Sequence, residues 1–330
     1  MPLKKTLLKT AYNFGGFAPF HWAYRNKILI LTYHRFSREK DFHKVASAEF
    51  LLHLEYLQKH NRIFSLSEAI DSFAKNKSLP PNATVITIDD GYRDVYDVAF
   101  PLLKDFGFPA TLYAITDFLD EKCWLWTDLM RYVLLNTKSD YVKIEIKNAR
   151  KIEAKLSNRL QKLELANRIN SQLKQLPNEQ KDVQIKEIAD TLQVKISPLP
   201  PPDYAPISWQ QALEMEAGNL QIESHTVTHP ILTNVNQTEL DFELQTSKQR
   251  LEKVLNKKIE HFCYPNGGFN EAVRKSVEKA GYKSAVTTAY GFNEKQANQF
   301  LLNRVDAPPA IEHFAQSASG FEDAKQRIRK

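Results

Sequence analysis

The stretch TVITIDDGYRDVYDVAFPLLKDFGFPATLYAI, residues 84–115, decides the fold of this 330-residue chain. It begins with a short apolar, β-rich run, TVITID (84–89), and ends with another, ATLYAI (110–115). The residues between these runs place apolar side chains on one face at helical spacing: Val95, Ala99, Leu102, Leu103 and Phe106. A strand, a helix and a second strand in this order predict a βαβ unit with two parallel strands.

The same alternation continues along most of the chain. Runs with the length and composition of strands occupy residues 27–34, 84–89, 110–115, 220–224, 260–264, 283–288 and 300–305. Helical periodicity lies between most of them, for example over 237–256. Seven parallel strands that alternate with helices can close on themselves, so we predict an α/β fold, a (β/α)7 barrel. Active sites of such barrels gather at the C-terminal ends of the strands.

The alternation stops after Asp120. Residues 138–196 are rich in Lys, Glu, Gln and Asn, with leucines at helical spacing, and the segment 197–206, SPLPPPDYAP, must be extended because proline forbids a helix. We therefore predict a helical insertion over 123–206 that a proline-rich segment returns to the barrel. A lid, a dimer contact, a membrane-facing element and a solvated pair of helices without a function remain open.

Composition and charge limit the classes of protein and the partners that this sequence can represent. A hydrophobic fraction of 42% and a charged fraction of 25% are typical of a soluble globular protein. The formal charge of +6 fits an anionic partner such as a phospholipid surface or a pyrophosphate-linked substrate, but general solubility explains it equally well. No RNA- or DNA-binding signature occurs, so nucleic acid is not predicted as a partner. Cys123 and Cys263 form no CxxC motif, which fits a reducing compartment.

The N-terminal segment, residues 1–26, begins MPLKKTLLKTAYNFGGFAPF. Lys9 and Asn13 interrupt the apolar region that a signal peptide needs, so we expect a cytoplasmic protein. Apolar residues nevertheless recur at helical spacing next to three lysines: Leu3, Leu7, Leu8, Ala11 and Phe14 beside Lys4, Lys5 and Lys9. This amphipathic pattern predicts either peripheral contact with a membrane or a short helix packed against the domain.

The motif TIDDG (87–91) places two adjacent carboxylates at the end of a predicted strand. Neighbouring side chains of a strand point to opposite sides, so one carboxylate can bind a metal while the other faces a substrate. Asp-Asp-Gly is also a common turn, so this motif does not define a site by itself.

The motif HTVTHP (225–230) carries two histidines four residues apart, a spacing that can share a metal ion. Pro230 disfavours helical geometry at His229, so a loop is predicted. Both motifs follow strands and open on one barrel face, which predicts a divalent metal held by Asp90, His225 and His229. Such a set leaves positions for water and suits catalytic Zn²⁺, while Fe²⁺, Co²⁺ or Ni²⁺ would also fit. The free carboxylate, Asp89, is then the predicted general base.

Three segments carry a family resemblance. TIDDGYRDVYDVAFPLLKDFGFPATLYAI, ESHTVTHPIL and FCYPNGGFN resemble the signatures of the polysaccharide deacetylases, the NodB-homology or carbohydrate esterase family 4 enzymes, with the third in its Tyr-Pro-x-Gly form. The resemblance covers about 27–120 and 207–305 and leaves out the insertion. It implies a distorted barrel over 27–330, a single metal and N-deacetylation, with Asp89 as the base and Asp90, His225 and His229 as ligands.

The chain departs from the family pattern in two places. Cys263 stands where many members have an arginine that orients the base, and Arg304 at the end of the last strand is a candidate substitute. The usual C-terminal Leu-x-His of the general acid is absent. Members that resemble a circularly permuted form carry this histidine after the first strand, in a Tyr-His sequence like LTYHRF. We therefore predict His34 as the acid, with simple packing at a strand end as the alternative.

The predicted function is metal-dependent removal of an N-acetyl group from an amino sugar in a polysaccharide or a lipid-linked glycan. The segment Tyr264, Pro265, Asn266 and Gly267 is predicted to contact the substrate and to supply backbone N–H groups to the oxyanion. Trp126 is a candidate for stacking on a sugar, with core packing as the alternative. Two other functions remain open: deformylation or hydrolysis of another amide, on a lipid-linked aminosugar or a non-sugar substrate, and non-catalytic glycan binding or assembly.

Overall fold

A computed structural model describes residues 2–75, 79–147 and 151–329. Residues 1, 76–78, 148–150 and 330, which belong to the predicted N-terminal segment, barrel and insertion, lie outside the described part. The described strands are β1 Leu29–Tyr33, β2 Phe36–Ser37, β3 Val45–Ala46, β4 Arg62–Ile63, β5 Ala83–Asp90, β6 Ala110–Ala114, β7 Tyr141–Ile144, β8 Ile152–Lys155, β9 Leu220–Ser224, β10 His261–Cys263, β11 Ser284–Tyr290 and β12 Leu302–Asp306.

The described α-helices lie between and around these strands. They are α1 Pro2–Asn13, α2 Ala18–Tyr24, α3 Ser47–His60, α4 Leu66–Ala74, α5 Phe100–Phe106, α6 Thr116–Leu119, α7 Trp126–Asn136, α8 Arg159–Leu173, α9 Asn178–Thr191, α10 Trp209–Ala217, α11 Gln237–Leu255, α12 Glu271–Lys279, α13 Ile311–Ala318 and α14 Phe321–Arg329. A π-helical turn, Val95–Ala99, precedes α5, and a 3-10 turn, Pro265–Gly267, follows β10.

Seven parallel strands close a barrel, as the sequence predicts. Their order around the barrel is β1, β12, β11, β10, β9, β6 and β5, and β5 pairs again with β1. Each of the seven predicted apolar runs contributes one of these strands, which confirms the predicted fold class. The barrel is distorted, because β9 and β10 share only the pair Ser224–Phe262 and the register of β11 against β12 shifts between Val286 and Tyr290.

Strand β5 explains how the barrel presents its motif. Strand β5 pairs with β1 on one edge and with β4 and β6 on the other. Its first seven residues are buried. A strand that is covered on both faces needs no polar side chains along it, which explains the continuous apolar run in the sequence. Ile86 packs outward against the helices, whereas Val85 packs inside the barrel with Tyr113 and Cys263. Because side chains alternate along a strand, Asp89 lies on the inner side with Val85.

The insertion forms a structural unit with its own apolar core. Helices α7, α8 and α9 surround core residues that include Met130, Ile169 and Leu173, together with Trp126. The insertion also contains an antiparallel hairpin of β7 and β8, which the prediction of a helical insertion over 123–206 missed. The buried and exposed residues of β7 alternate strictly, a pattern of period two that four residues display only briefly.

The N-terminal stretch forms the helices α1 and α2, and its apolar stripe is divided between two environments. Leu8 and Ala11 pack against the barrel core, while Leu7 is 62% exposed and Phe14 is 85% exposed. The side chains of Leu3, Lys4 and Lys5 lie outside the described part. None of the described helices combines the length and the apolar character that crossing a bilayer requires.

Candidate active site

A cleft of about 350 Å³ opens at the C-terminal ends of the barrel strands. It brings together most of the side chains that the sequence singled out: His34, Asp89, Asp90, His225, His229, Tyr264, Asn266 and Arg304. Their positions follow from the parallel sheet, because every strand that precedes them ends at the same rim of the barrel.

Asp89 and Arg304 form a buried, bidentate ion pair at the bottom of this cleft. Arg304 donates from Nη1 to Asp89 Oδ1 and from Nη2 to Asp89 Oδ2, both at 2.7 Å, and from Nε to the Thr287 carbonyl at 2.9 Å. Burial by itself raises the pKa of Asp89, but the charge and hydrogen bonds of Arg304 outweigh it and hold that pKa below its usual range. Asp89 is therefore a carboxylate throughout the physiological pH range.

Cys263 occupies the space beside this ion pair. Its Sγ lies 3.3 Å from Arg304 Nη2 and 3.5 Å from Asp89 Oδ2, and the thiol is fully buried. The small side chain on β10 leaves room for the long guanidinium that arrives from β12. The arrangement places Arg304 where it orients Asp89, as the departure from the family pattern at Cys263 suggested.

Asp90, His225 and His229 converge on one point above this pair. Asp90 Oδ1 lies 3.6 Å from His225 Nε2 and 3.8 Å from His229 Nε2, and one ligand atom from each residue lies within 4.8 Å of the others. Ligand atoms that sit about 2 Å from a shared tetrahedral ion are themselves about 3.4 Å apart. The three residues therefore fit a divalent metal with little movement.

The protonation states of these residues also suit a cation. His225 Nδ1 is held at 2.8 Å by the Cys263 carbonyl, which leaves Nε2 facing Asp90. Burial lowers the pKa of His225 to about 4, so the imidazole is neutral near pH 7. Burial, together with the charge of Asp89, raises the pKa of Asp90 to about 7. A bound cation would favour the ionised form of Asp90 and satisfy these buried groups.

Both ligand motifs contain strained backbone. Asp90 and His229 have positive φ angles of 79° and 60°, and Thr226 has a φ of 74°. Residues other than glycine rarely adopt this region, and they cluster at functional sites. The histidine pair thus lies on a loop, as Pro230 predicts, and the Thr226 hydroxyl accepts the His229 N–H at 3.0 Å.

Glu243 supports this loop and was not predicted from the sequence. Its carboxylate accepts the Val227 N–H at 2.7 Å, the Thr228 N–H at 3.0 Å and the Thr228 hydroxyl at 2.6 Å. Glu243 is 5% exposed on the face of α11 that also carries Leu240 and Leu244. A carboxylate on an otherwise apolar helix face is the signal in the sequence that could have identified it.

His34 follows β1 and faces Asp89 across the cleft floor. Its Nε2 lies 3.7 Å from Asp89 Oδ2, and half of its side chain is exposed. The next residue, Arg35, is fixed by Asp94, with 2.7 Å between Arg35 Nε and Asp94 Oδ2, and its guanidinium lies 3.9 Å from the ring centre of Tyr92. These contacts hold the chain on which His34 is mounted.

In the segment 264–267, Asn266 is the residue that offers a free donor to the cleft. The N–H groups of Tyr264 and Gly267 are bonded to the carbonyls of Val286 and Tyr264. Pro265 is buried and has no N–H. Asn266 Nδ2 is buried and has no partner among the described residues. Two of the predicted backbone donors, the N–H groups of Tyr264 and Gly267, are thus already bonded, and the side chain of Asn266 adds a donor that the sequence did not predict.

Gly267 and Trp126 lie outside the lining of the cleft. A Cβ at Gly267, whose φ is 67°, would lie 2.0 Å from Thr288 Oγ1, so this position requires glycine. Trp126 is 5% exposed in the insertion core, and Lys181 Nζ lies 4.7 Å over its ring. The ring is thus covered in this structure, which corresponds to the packing alternative rather than to sugar stacking.

Comparison with known proteins identifies the family. The model of the polysaccharide deacetylase family matches residues 76–285, more than half of the chain. The Bacillus subtilis (strain 168) protein YxkH, described as a polysaccharide deacetylase, is 22% identical over 286 residues, which cover 86% of this chain and 73% of YxkH. The poly-beta-1,6-N-acetyl-D-glucosamine N-deacetylase of Staphylococcus epidermidis is 28% identical over 108 residues, or 28% of this chain and 37% of that enzyme.

Solved structures share the fold. The Streptococcus pyogenes deacetylase PplD, solved in complex with acetate, superimposes with a TM-score of 0.60 at 20% identity over 89% of this chain and 99% of PplD. IcaB from Ammonifex degensii superimposes with a TM-score of 0.57 at 18% identity over 89% of this chain and 97% of IcaB. With the family match and the barrel geometry together, this chain belongs to the polysaccharide deacetylase family and is a hydrolase that acts on C–N bonds.

Proposed function

We propose that this chain removes the N-acetyl group from an amino sugar of a polysaccharide or a lipid-linked glycan, with a divalent metal held by Asp90, His225 and His229. The main observation that supports the proposal is the buried ion pair of Asp89 and Arg304, which lies next to the three candidate metal ligands. A site that only bound glycans would have no use for an ionised, oriented carboxylate beside an open metal position.

Asp90, His225 and His229 would hold the metal, zinc in our proposal, which would supply an electrophile for the amide carbonyl and would lower the pKa of a water molecule. Asp89 accepts the proton of the attacking water. Arg304 keeps Asp89 ionised and fixes its plane, and a carboxylate that accepts two bonds from arginine retains lone pairs for a third partner. Fe²⁺, Co²⁺ and Ni²⁺ fit the same ligands.

Two further residues complete the reaction. The free Nδ2–H of Asn266 donates to the oxyanion that forms as the carbonyl carbon becomes tetrahedral. His34, in its protonated form, gives a proton to the sugar nitrogen as the C–N bond breaks, because an amide nitrogen leaves poorly unless it is protonated. The exposed half of the His34 ring gives it access to a substrate bound in the cleft.

The test measures release of free amine and acetate from β-1,6-linked N-acetylglucosamine oligomers, since the staphylococcal relatives are named for deacetylating that polymer. We expect Asp89→Asn and His34→Ala to lower kcat by about 100-fold or more while metal content stays at one per chain. The matched controls are Asp97→Asn and His313→Ala, whose side chains are exposed outside the cleft. Full activity of Asp89→Asn with metal bound would contradict the proposal.

The same experiment separates the alternatives. Formyl, acetyl and longer acyl derivatives of one aminosugar distinguish a deacetylase from a deformylase or a general amidase. A metal-loaded protein that binds the oligomers but releases no amine would be a glycan-binding or assembly protein. Removal of the metal with a chelator should abolish turnover, and re-addition of Zn²⁺, Fe²⁺, Co²⁺ or Ni²⁺ in turn identifies the metal that restores the highest kcat.

We also propose that the N-terminal segment contacts a membrane at its cytoplasmic face. Leu7, Phe14 and Trp22 are exposed by 62%, 85% and 68%, and the Arg25 guanidinium lies 4.2 Å over the Trp22 ring. Exposed aromatic and apolar side chains beside cations are typical of interfacial helices. Co-sedimentation with anionic vesicles should fall in Phe14→Ser and Trp22→Ser but not in the control Phe42→Ser, and fractionation of cells tests the location.

A further inference from the structure

The active-site cleft has a second end that the catalytic proposal does not use. Arg131 on α7, Lys174 at the C-terminus of α8 and His43 between β2 and β3 line the same cleft as Asp89 and Asp90. We call these three residues the basic end. Two of them belong to the insertion, so the insertion helps to form the cleft entrance.

The charges of the basic end are incompletely neutralised. Arg131 Nη1 donates to Asp128 Oδ1 at 2.9 Å, but Asp128 also accepts the Tyr92 hydroxyl. Arg131 Nε is buried and has no hydrogen-bond partner among the described residues. For Lys174 Nζ, too, the described part of the chain shows neither an ion pair nor a hydrogen bond. The basic end therefore offers one ammonium group and one buried guanidinium N–H without partners.

The acidic groups near the basic end do not neutralise Arg131 and Lys174 either. Burial, and then the charge of Arg131, lowers the pKa of both Lys174 and His43. The acidic residues that line the cleft are Asp89, which is paired with Arg304, and Asp90, which faces His225 and His229. Asp41 approaches His43 but is 3.5 Å from Arg159, another cation of the insertion. An anion in the cleft would be attracted by the charges of Arg131 and Lys174.

We propose that the basic end binds an anionic group of the substrate glycan, a phosphate ester or a carboxylate, while the N-acetyl group lies between Asp89 and the metal ligands. The proposal rests on the proposed deacetylase function and adds the class of its substrate. Lys174 supplies a mobile point charge, and Asp128 holds the guanidinium of Arg131 through Nη1, which leaves the other N–H groups of that guanidinium for a ligand. Because one cleft of about 350 Å³ holds both ends, the anion and the N-acetyl group belong to the same or adjacent sugar units.

The test compares three matched substrates of the metal-loaded enzyme: a neutral N-acetylglucosamine trisaccharide, its 1-phosphate, and a trisaccharide of the same linkage that ends in a uronic acid. We expect a lower KM for one or both anionic substrates than for the neutral one. Lys174→Ala should raise the ratio of the anionic KM to the neutral KM by about 10-fold, because a hydrogen bond to a charged group is lost. Lys174→Arg should restore most of the preference.

A control variant and a binding measurement distinguish failure of the proposed anion site from failure of the proposed deacetylase function. Lys155→Ala, an exposed lysine at the end of β8, should leave the KM ratio unchanged. Calorimetric titration of the 1-phosphate into the Asp89→Asn enzyme, with and without Lys174→Ala, measures binding without turnover. The proposed role of the basic end would be wrong if Asp89→Asn enzymes with and without Lys174→Ala bound the 1-phosphate with equal affinity. It would also be wrong if Lys174→Ala left the ratio of the anionic KM to the neutral KM at the wild-type value. Failure of the wild-type enzyme to deacetylate any substrate would instead overturn the proposed function, and the titration would still decide the anion site.

Discussion

The barrel and the insertion meet at one cleft, but they contribute different kinds of groups to it. All nine histidines of the chain lie outside residues 123–206, and the barrel holds the carboxylate of Asp89 buried with Arg304 as its fixed partner. The insertion packs an apolar core and brings Arg131 and Lys174 to the cleft without full partners. In our proposals, the groups that break the C–N bond follow the barrel strands, whereas two of the three groups that bind the anion belong to the insertion.

Removal of Arg304 should have the largest effect, because it leaves a buried carboxylate without its counter-charge. We expect Arg304→Met to lower the free energy of unfolding by about 3–5 kcal/mol and kcat by at least about 100-fold. Chemical denaturation and amine-release assays measure the two effects. Arg93→Met, at an exposed arginine whose ion-pair partner Asp97 is also exposed, is the control and should change stability by less than about 0.5 kcal/mol. A stable, active Arg304→Met protein would show that the barrel does not depend on this ion pair.

The next effect should be confined to the insertion. Leu173 is fully buried in the insertion core, so Leu173→Ala should destabilise that unit by about 2–5 kcal/mol. Amide hydrogen exchange should then become faster in α8 and α9 while β5 and β6 keep their protection. Leu160→Ala, which alters a leucine that is 42% exposed on the same helix, is the matched control. Equal loss of protection in the barrel would show that the two regions unfold together.

A smaller effect should follow from loosening the histidine loop. Glu243→Gln leaves one carbonyl oxygen where two carboxylate oxygens accept three hydrogen bonds. We expect the affinity for the metal to fall by about 10–100-fold, as residues that orient metal ligands typically contribute. Competition with a chelator measures this affinity. Glu278→Gln, on the exposed face of α12, should leave the affinity at the wild-type value, and an unchanged affinity in Glu243→Gln would contradict the role of Glu243.

The smallest effect should be a pH dependence of barrel stability. His53 is fully buried, its ring accepts from Tyr33 and donates to the Pro309 carbonyl, and burial lowers its pKa to about 4. The unfolded chain therefore takes up a proton near pH 6.5 while the folded chain does not, so stability is lost as the pH falls from 6.5 towards 4. His53 should contribute a loss of about 1–2 kcal/mol between pH 7 and pH 5.

Denaturation curves of wild type, His53→Gln and the control His313→Gln at the two pH values measure this contribution. His53→Gln should show a smaller loss of stability on acidification than the wild type, whereas His313→Gln, at an exposed histidine, should match the wild type. An identical loss in all three proteins would assign the pH dependence to other groups. The insertion contains no histidine, so histidine protonation within it should add nothing to this loss of stability on acidification.

The barrel could be predicted from the sequence because buried parallel strands are continuous apolar runs with clear boundaries. All seven runs became strands, and the sequence order of strand and motif placed Asp89, Asp90, His225 and His229 on one rim. The left-handed backbone at Asp90 and His229 was not predictable from propensity, and neither was the support of the histidine loop by the hydrogen bonds of Glu243 to Val227 and Thr228.

The insertion was harder to predict, for physical reasons. Its hairpin strands have four residues each, too few for alternation to stand out among charged helices. Trp126 looked like a residue of the barrel mouth because it follows β6, but it packs inside the insertion core. The basic end joins His43, Arg131 and Lys174 from distant parts of the chain, and only the packing of the insertion against the barrel brings them to one cleft.

The insertion leaves and rejoins the barrel between two strands that pair with each other, β6 and β9. Its returning chain closes against the first motif, where Ile207 donates its N–H to the Gly91 carbonyl and Arg93 donates to the Ala205 carbonyl. Because β6 and β9 pair directly, the barrel closes without a contribution from the insertion strands. We infer that a different insertion at this place would change the proposed choice of glycan, while Asp89, Asp90 and the histidine pair would keep their places at the ends of the barrel strands.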